Sequence, residues 1–403
     1  MNTEKEKRPW FRANFIYDKK EIFIVVLFLL VTFTVEGQND SIVLKPAKKK
    51  LTFRNPVDNA VEVGSSLFNN MRVLPVPILI TEPALGYGGG LSLLYFHERK
   101  KRYNSYVPND VTGVGGLVTK NKTWGFGIIH SHTFGENRVR TLTEVIKPNI
   151  NIDYYGNNSD LLSKHPITIK LNSWFFLQQA QVRIAKSNVY IGASYMYAHS
   201  EVSLDTIPGK PLINALIERL NVNSVISSVK PMIVFDNRDN VFTPTKGINA
   251  ELSFNYSAQW LGSSDDYATI NSNFWAYYPV LSKLYSGYRF QGSYLLGDAP
   301  FYAYPYVSLR GIPAMRYQSN NTVVAETEWR YTIYKRISIT AFTGLGKAFQ
   351  SMGNFSDIDW AYNVGTGFRY EISSKQGTHM GIDFAWGNAK DFAFYIVFGS
   401  SWL

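Results

Sequence analysis

From Ile248 to Trp260 the chain alternates without a break. Ile248, Ala250, Leu252, Phe254, Tyr256, Ala258 and Trp260 are apolar, whereas Asn249, Glu251, Ser253, Asn255, Ser257 and Gln259 are polar. A strand projects successive side chains to opposite faces, so this segment has one apolar wall and one polar wall. Strands of soluble proteins usually run about 5–6 residues, less than half this run. A tilted strand crossing a bilayer needs about 9–11 residues, with lipid against one row and a polar lumen against the other. Similar patterns recur to the C-terminus. The fold class that follows is all-β, a transmembrane antiparallel β-barrel.

Composition agrees with a wall that commits only half of each strand to lipid. Mean hydropathy is −0.14, so the chain looks soluble overall, yet it carries 26 Tyr, 26 Phe and 9 Trp. Those rings suit aromatic girdles at two membrane interfaces. The plain alternative is an aromatic-rich soluble β protein, which would need neither the strand length nor the repeated parity.

The first 37 residues read as an export signal. Lys5, Lys7, Arg8, Arg12, Lys19 and Lys20 supply a basic start, Ile22 to Val35 the apolar core, and Glu36-Gly37-Gln38 a processing site. The core is short for a membrane-spanning anchor. Residues 38–72 read as a short periplasmic linker and 73–403 as the barrel. The absence of cysteine excludes disulfides and a lipoprotein anchor at this signal. A net charge of +10 is no argument for nucleic acid, because part of it sits in Lys45, Lys48, Lys49, Lys50 and Arg54 of the linker. No nucleic-acid reader motif accompanies it. An outer-membrane location follows, with outer-membrane lipid as a partner.

Candidate strands lie at 74–81, 86–96, 110–119, 123–134, 138–148, 166–184, 188–204, 222–235, 247–260, 267–279, 285–297, 322–332, 336–347, 361–371, 378–387 and 392–402. They number about sixteen, the even count of bacterial single-chain barrels. Short connections (135–137, 185–187, 280–284, 333–335, 372–377) alternate with long ones (149–165, 205–221, 298–321, 348–360), which puts the short ones on the periplasmic side. The segment 97–109 departs from that rule, being long where a short turn is expected.

Several motifs stand in one order in the second half. Phe235-Asp236-Asn237-Arg238-Asp239-Asn240 precedes Pro244-Thr245-Lys246-Gly247, followed by Leu309-Arg310-Gly311-Ile312 and Glu326-Thr327-Glu328-Trp329-Arg330-Tyr331. Val364-Gly365-Thr366-Gly367-Phe368-Arg369, Gly381-Ile382-Asp383-Phe384-Ala385 and a closing Phe398-Gly399-Ser400-Ser401-Trp402 complete the set. Together they resemble the Omp85 superfamily, the BamA/TamA-like bacterial surface antigen barrels and two-partner secretion pores. About 170 residues carry the resemblance strongly.

The resemblance implies a barrel of about sixteen strands with its sixth extracellular loop folded into the lumen. It also implies outer-membrane protein assembly or insertion, or protein translocation, with client proteins as partners, no cofactor and no bond chemistry. A passive pore or structural membrane protein is the alternative. Three departures stand out. Phe342-Thr343-Gly344-Leu345-Gly346 has glycine where the family usually carries an acid, Leu403 follows the terminal aromatic, and the periplasmic POTRA domains that receive clients are missing. A periplasmic partner in trans could supply them.

Parity assigns the charged residues a side. Charges on the lipid face cost about 2–4 kcal/mol each near the midplane, so Glu326, Glu328, Arg369, Glu371 and Asp383 belong to the lumenal row. The family's loop arginine pairs with an acid on the wall, and Arg310 stands in its place, with Gly311 permitting close approach. Asp383, Glu371, Glu326 and Glu328 are the acids it could meet, Asp383 first. A solvent-exposed loop arginine is the simpler alternative. The seam between first and last strands is the family's proposed lateral gate. Pro75 and Pro77 in the first strand cannot donate ladder bonds, and Trp402 would close the last. The two prolines equally well only start a strand.

Enzymatic readings find little. His97, His130, His132, His165, His199 and His379 are scattered, and His130 with His132 falls short of a metal set. No nucleophile arrangement or phosphate loop is recognisable, and Gly86-Tyr87-Gly88-Gly89-Gly90 precedes no helix. No enzyme, metal or cofactor is expected.

Overall fold

In the computed structural model, residues 72–402 are described, apart from 82–83, 99–106, 156–166, 205–221, 375–376 and 389–390. The expected signal peptide, the linker up to residue 71 and Leu403 lie outside the described residues.

All sixteen expected strands form, and they pair in sequence order as one antiparallel sheet. The first four are β1 (Val73–Ile80), β2 (Gly88–Phe96), β3 (Val111–Thr119) and β4 (Trp124–Phe134). The next four are longer: β5 (Val139–Tyr154), β6 (Ile167–Arg183), β7 (Val189–Leu204) and β8 (Val222–Asp236). Then follow β9 (Gly247–Ser257), β10 (Tyr267–Leu281), β11 (Leu284–Gly297) and β12 (Asn321–Tyr334). The last are β13 (Ile337–Phe349), β14 (Ala361–Ser373), β15 (Thr378–Gly387) and β16 (Phe392–Phe398). β16 returns beside β1, but no ladder joins them, so the barrel is nearly closed.

Register lines up the apolar rows. Ile191, Ile233 and Leu252 stand side by side across β7, β8 and β9, each more than half exposed. Phe368 pairs with Ile382, and Val364 with Trp386, on the same outer side. Exposed apolar rows on consecutive strands make a lipid-facing band, as the parity predicts.

Strand ends differ from the expected ones where turn chemistry intervenes. β9 stops at Ser257 because Gln259–Leu261 winds into a 3₁₀ turn, closed by Gly262 at φ +93°. β5 runs on to Tyr154, making 16 residues. At a rise of about 3.3 Å per residue, β5–β7 outreach the hydrocarbon and project beyond it. Their outward rows become polar there, with Lys147 donating to Asn172 (2.6 Å) and Asn172 donating to Glu201 (2.9 Å).

β16 ends at Phe398, four residues short of Trp402. Trp402 is therefore not a seam residue. Gly399 takes φ +79°, and the chain turns out of the sheet. The Ser400 N–H then donates to the Phe242 carbonyl at 2.5 Å, in the β8–β9 turn.

Candidate functional site

The inward rows of β11–β15 converge on one cluster of charges. Arg289 comes from β11, Glu326 and Glu328 from β12, Arg369 from β14 and Asp383 from β15, while Arg310 arrives from the β11–β12 connection. Arg310 Nε donates to Glu326 Oε1 at 3.1 Å, and its Nη1 lies 2.6 Å from Glu328 Oε2 and 2.8 Å from Asp383 Oδ2. Arg369 grips Asp383 with both terminal nitrogens, at 2.6 and 3.0 Å. Arg289 Nη2 stands 3.2 Å from Glu326 Oε2. Three guanidinium groups thus face three carboxylates in a buried site. Charges removed from water are tolerated only when paired and hydrogen-bonded in this way.

Packing seats the loop beside the charges. The Arg310 guanidinium lies 3.4 Å from the centre of the Phe342 ring. Gly311 adopts φ +86°, and a Cβ there would meet Ala385 at 2.9 Å, so only glycine fits this approach. Its N–H donates to Tyr395 OH at 2.9 Å. Asn363 donates to the Arg310 carbonyl (2.9 Å) and to Glu326 (3.2 Å). Val307, Leu309 and Ile312 form an apolar cluster with Val324, Ala348 and Ala361 of the inner wall. On another stretch of wall, Met315 packs with Ile152, Ile169 and Val202, and Phe301 and Tyr302 join that cluster.

Glycine at 344 now has a physical account. A Cβ at Gly344 would meet Leu309 Cδ2 at 2.8 Å, and one at Gly346 would meet Val307 Cγ1 at 2.4 Å. β13 gives up an acid and gains two hollows for loop side chains. The acids that meet Arg310 come from β12 and β15 instead.

Of the four acids expected, the structure brings three to Arg310. Glu371 is the exception and must be dropped from the set. It pairs with His379 in the β14–β15 register, four residues along β15 from Asp383. At about 3.3 Å per residue that is some 13 Å toward the short-turn end. Pro75 and Pro77 are in β1 with exposed side chains, and the ladder to β2 runs unbroken from Val73 to Ile80. That places their missing N–H groups on the edge toward β16.

The C-terminal tail is the part the sequence reading missed. Ser401 Oγ accepts from Arg310 Nη1 (2.9 Å) and Arg369 Nη2 (3.0 Å), and it stands 3.1 Å from Glu328 Oε2. Trp402 Nε1 donates to Glu326 Oε2 at 2.7 Å, with its ring against Gly287 and Tyr277. Nothing local in Gly399-Ser400-Ser401-Trp402 signals a return into the barrel. Arg289 could have been found, since it is the one charged residue of β11 and its parity is inward.

A nearly closed, lipid-facing barrel of sixteen strands with a buried arginine–carboxylate cluster is a transmembrane β-barrel, and three solved structures share its fold. BamA from Haemophilus ducreyi lacking POTRA domains 1–3 superposes with a TM-score of 0.53 at 13% identity, over 81% of this chain and 70% of that one. CdiB from Acinetobacter baumannii gives 0.54 at 11% identity, and CdiB from Escherichia coli 0.55 at 9%, each over 81% of this chain. The match spans 59% and 62% of the two CdiB chains. No family profile matches the sequence, and no curated protein matches it.

Proposed function

We propose that this protein resides in a bacterial outer membrane and helps insert or translocate client proteins there. The β11–β12 connection, in this reading, enters the lumen and is locked by Arg310, while the β1–β16 seam serves as the gate. The observation that carries it is the coexistence of the two: a buried lock on one wall and an unpaired edge beside it. A ladder without bonds opens at little cost, and a client strand can pair with a free edge. The Omp85-like barrel fold and the ordered motifs support the role in protein assembly or secretion. The reading needs lipid and a client as partners, and no cofactor or bond chemistry.

A passive pore is the second reading. The chain has no cysteine, so two introduced cysteines, one on β1 and one on β16, can pair only with each other. Proteoliposomes with the protein are expected to speed assembly of a client barrel, and oxidising the pair is expected to abolish that gain. Undiminished assembly with the seam locked would sink the gate. A large, stable open conductance in planar bilayers would favour the pore.

A further inference from the structure

At the short-turn end of the barrel, away from the Arg310 cluster, lies a cavity of about 400 Å³. It is bounded by the β8–β9, β10–β11 and β12–β13 turns and by the inward rows of β12, β14 and β15. Four cations line it (Lys283, Arg330, Lys335 and Arg336) against two carboxylates, Asp239 and Glu371.

Arg330 is the informative one. It forms no ion pair among the described residues, and its guanidinium rests 5.0 Å from the Tyr285 ring. Glu328, the next inward residue on its strand, is held by Arg310 at 2.6 Å. Asp239 is likewise committed: it accepts from the Thr245 N–H (3.0 Å), the Lys246 N–H (3.2 Å) and the Thr245 hydroxyl. Glu371 lies beside Arg336 and has its own partner. A guanidinium stays charged and presents five donors, so one that faces a cavity while the nearby carboxylates Glu328 and Asp239 are held by other donors is suited to receive an anion. Two flexible lysines at the rim add charge, and Ser282, Thr332 and Ser338 add hydroxyls. A phosphate, with three terminal oxygens, can use more of these donors than a carboxylate can.

We propose that this cavity binds a phosphate group, presented by a lipid headgroup or by a soluble phosphorylated solute. The site stands whether or not the barrel moves proteins. Full-length protein in detergent is titrated by calorimetry with inorganic phosphate and, separately, with dihexanoyl phosphatidic acid, against a chloride background. Saturable binding is expected, weakened about tenfold or more by Arg330→Gln. Should that variant fail to fold, Lys283→Ala combined with Lys335→Ala on the exposed turns is expected to weaken binding several-fold. Much tighter phosphatidic acid assigns the site to lipid, and equal affinities assign it to a soluble phosphate. Absence of saturable binding, or affinity unchanged in both variants, overturns the site.

Discussion

Two walls flank the seam, and they are built on opposite principles. β1–β4 contain no Asp, Glu, Lys or Arg, and eight of their residues are glycine. β11–β15 carry the inward Arg289, Glu326, Glu328, Arg330, Arg369 and Asp383, and they hold the loop and the tail. The first wall is held by its backbone ladder and by neutral or histidine contacts, such as Thr112 Oγ1 2.7 Å from His97 Nε2 and 2.8 Å from His130 Nδ1. The second is over-determined, because each carboxylate of the cluster meets at least two donors. The lesson is a division of labour: one side of the seam relies mainly on backbone pairing, while the other adds buried ionic contacts between strands, loop and tail. The tail belongs to the second wall, since Ser401 leaves the end of β16 and bonds into the cluster.

Breaking the cluster should therefore cost far more than altering the glycine-rich wall. Arg310→Ala leaves three carboxylates in one buried site and is expected to destabilise by about 3–5 kcal/mol. Thermal unfolding in detergent would read this directly, with Ser92→Ala on β2 as the contrast, expected within about 0.5 kcal/mol of the parent. Comparable losses at the two positions would erase the distinction between walls.

A subtler test restores the acid that Omp85-like strands usually carry. Gly344→Asp is expected to destabilise by about 1–3 kcal/mol, because Leu309 already fills that space. The same unfolding measurement decides it, and a gain in stability would mean that the loop packs otherwise. The smallest effect concerns the edge. Pro75→Ala with Pro77→Ala supplies two N–H groups facing β16 and is expected to stabilise the closed seam by no more than about 1–2 kcal/mol. Hydrogen exchange at positions 75 and 77 would show slow exchange if these groups pair, whereas fast exchange would place them elsewhere.

Much of the architecture was legible from residues alone. Strand parity is local, set by the pleat, so the alternation at Ile248–Trp260 already separated lipid face from lumen face, and the strand count followed from turns. Arg310 stood out because Leu309-Arg310-Gly311-Ile312 resembles the sixth-loop motif of the Omp85 barrels, and an always-charged side chain beside glycine suits the close, paired contact that resemblance implies. What the pleat could not reveal was height along the barrel. Glu371 and Asp383 share an inward side, yet the β14–β15 register puts one at the cluster and the other near the cavity. Gly344 looked like a lost acid until Leu309 was found in its place. Ser401 and Trp402 read as strand continuation, and only the turn at Gly399 sent them inward. Periodicity is a property of neighbouring residues and survives in one dimension, whereas register and tail placement depend on strands far apart in sequence meeting at a given level.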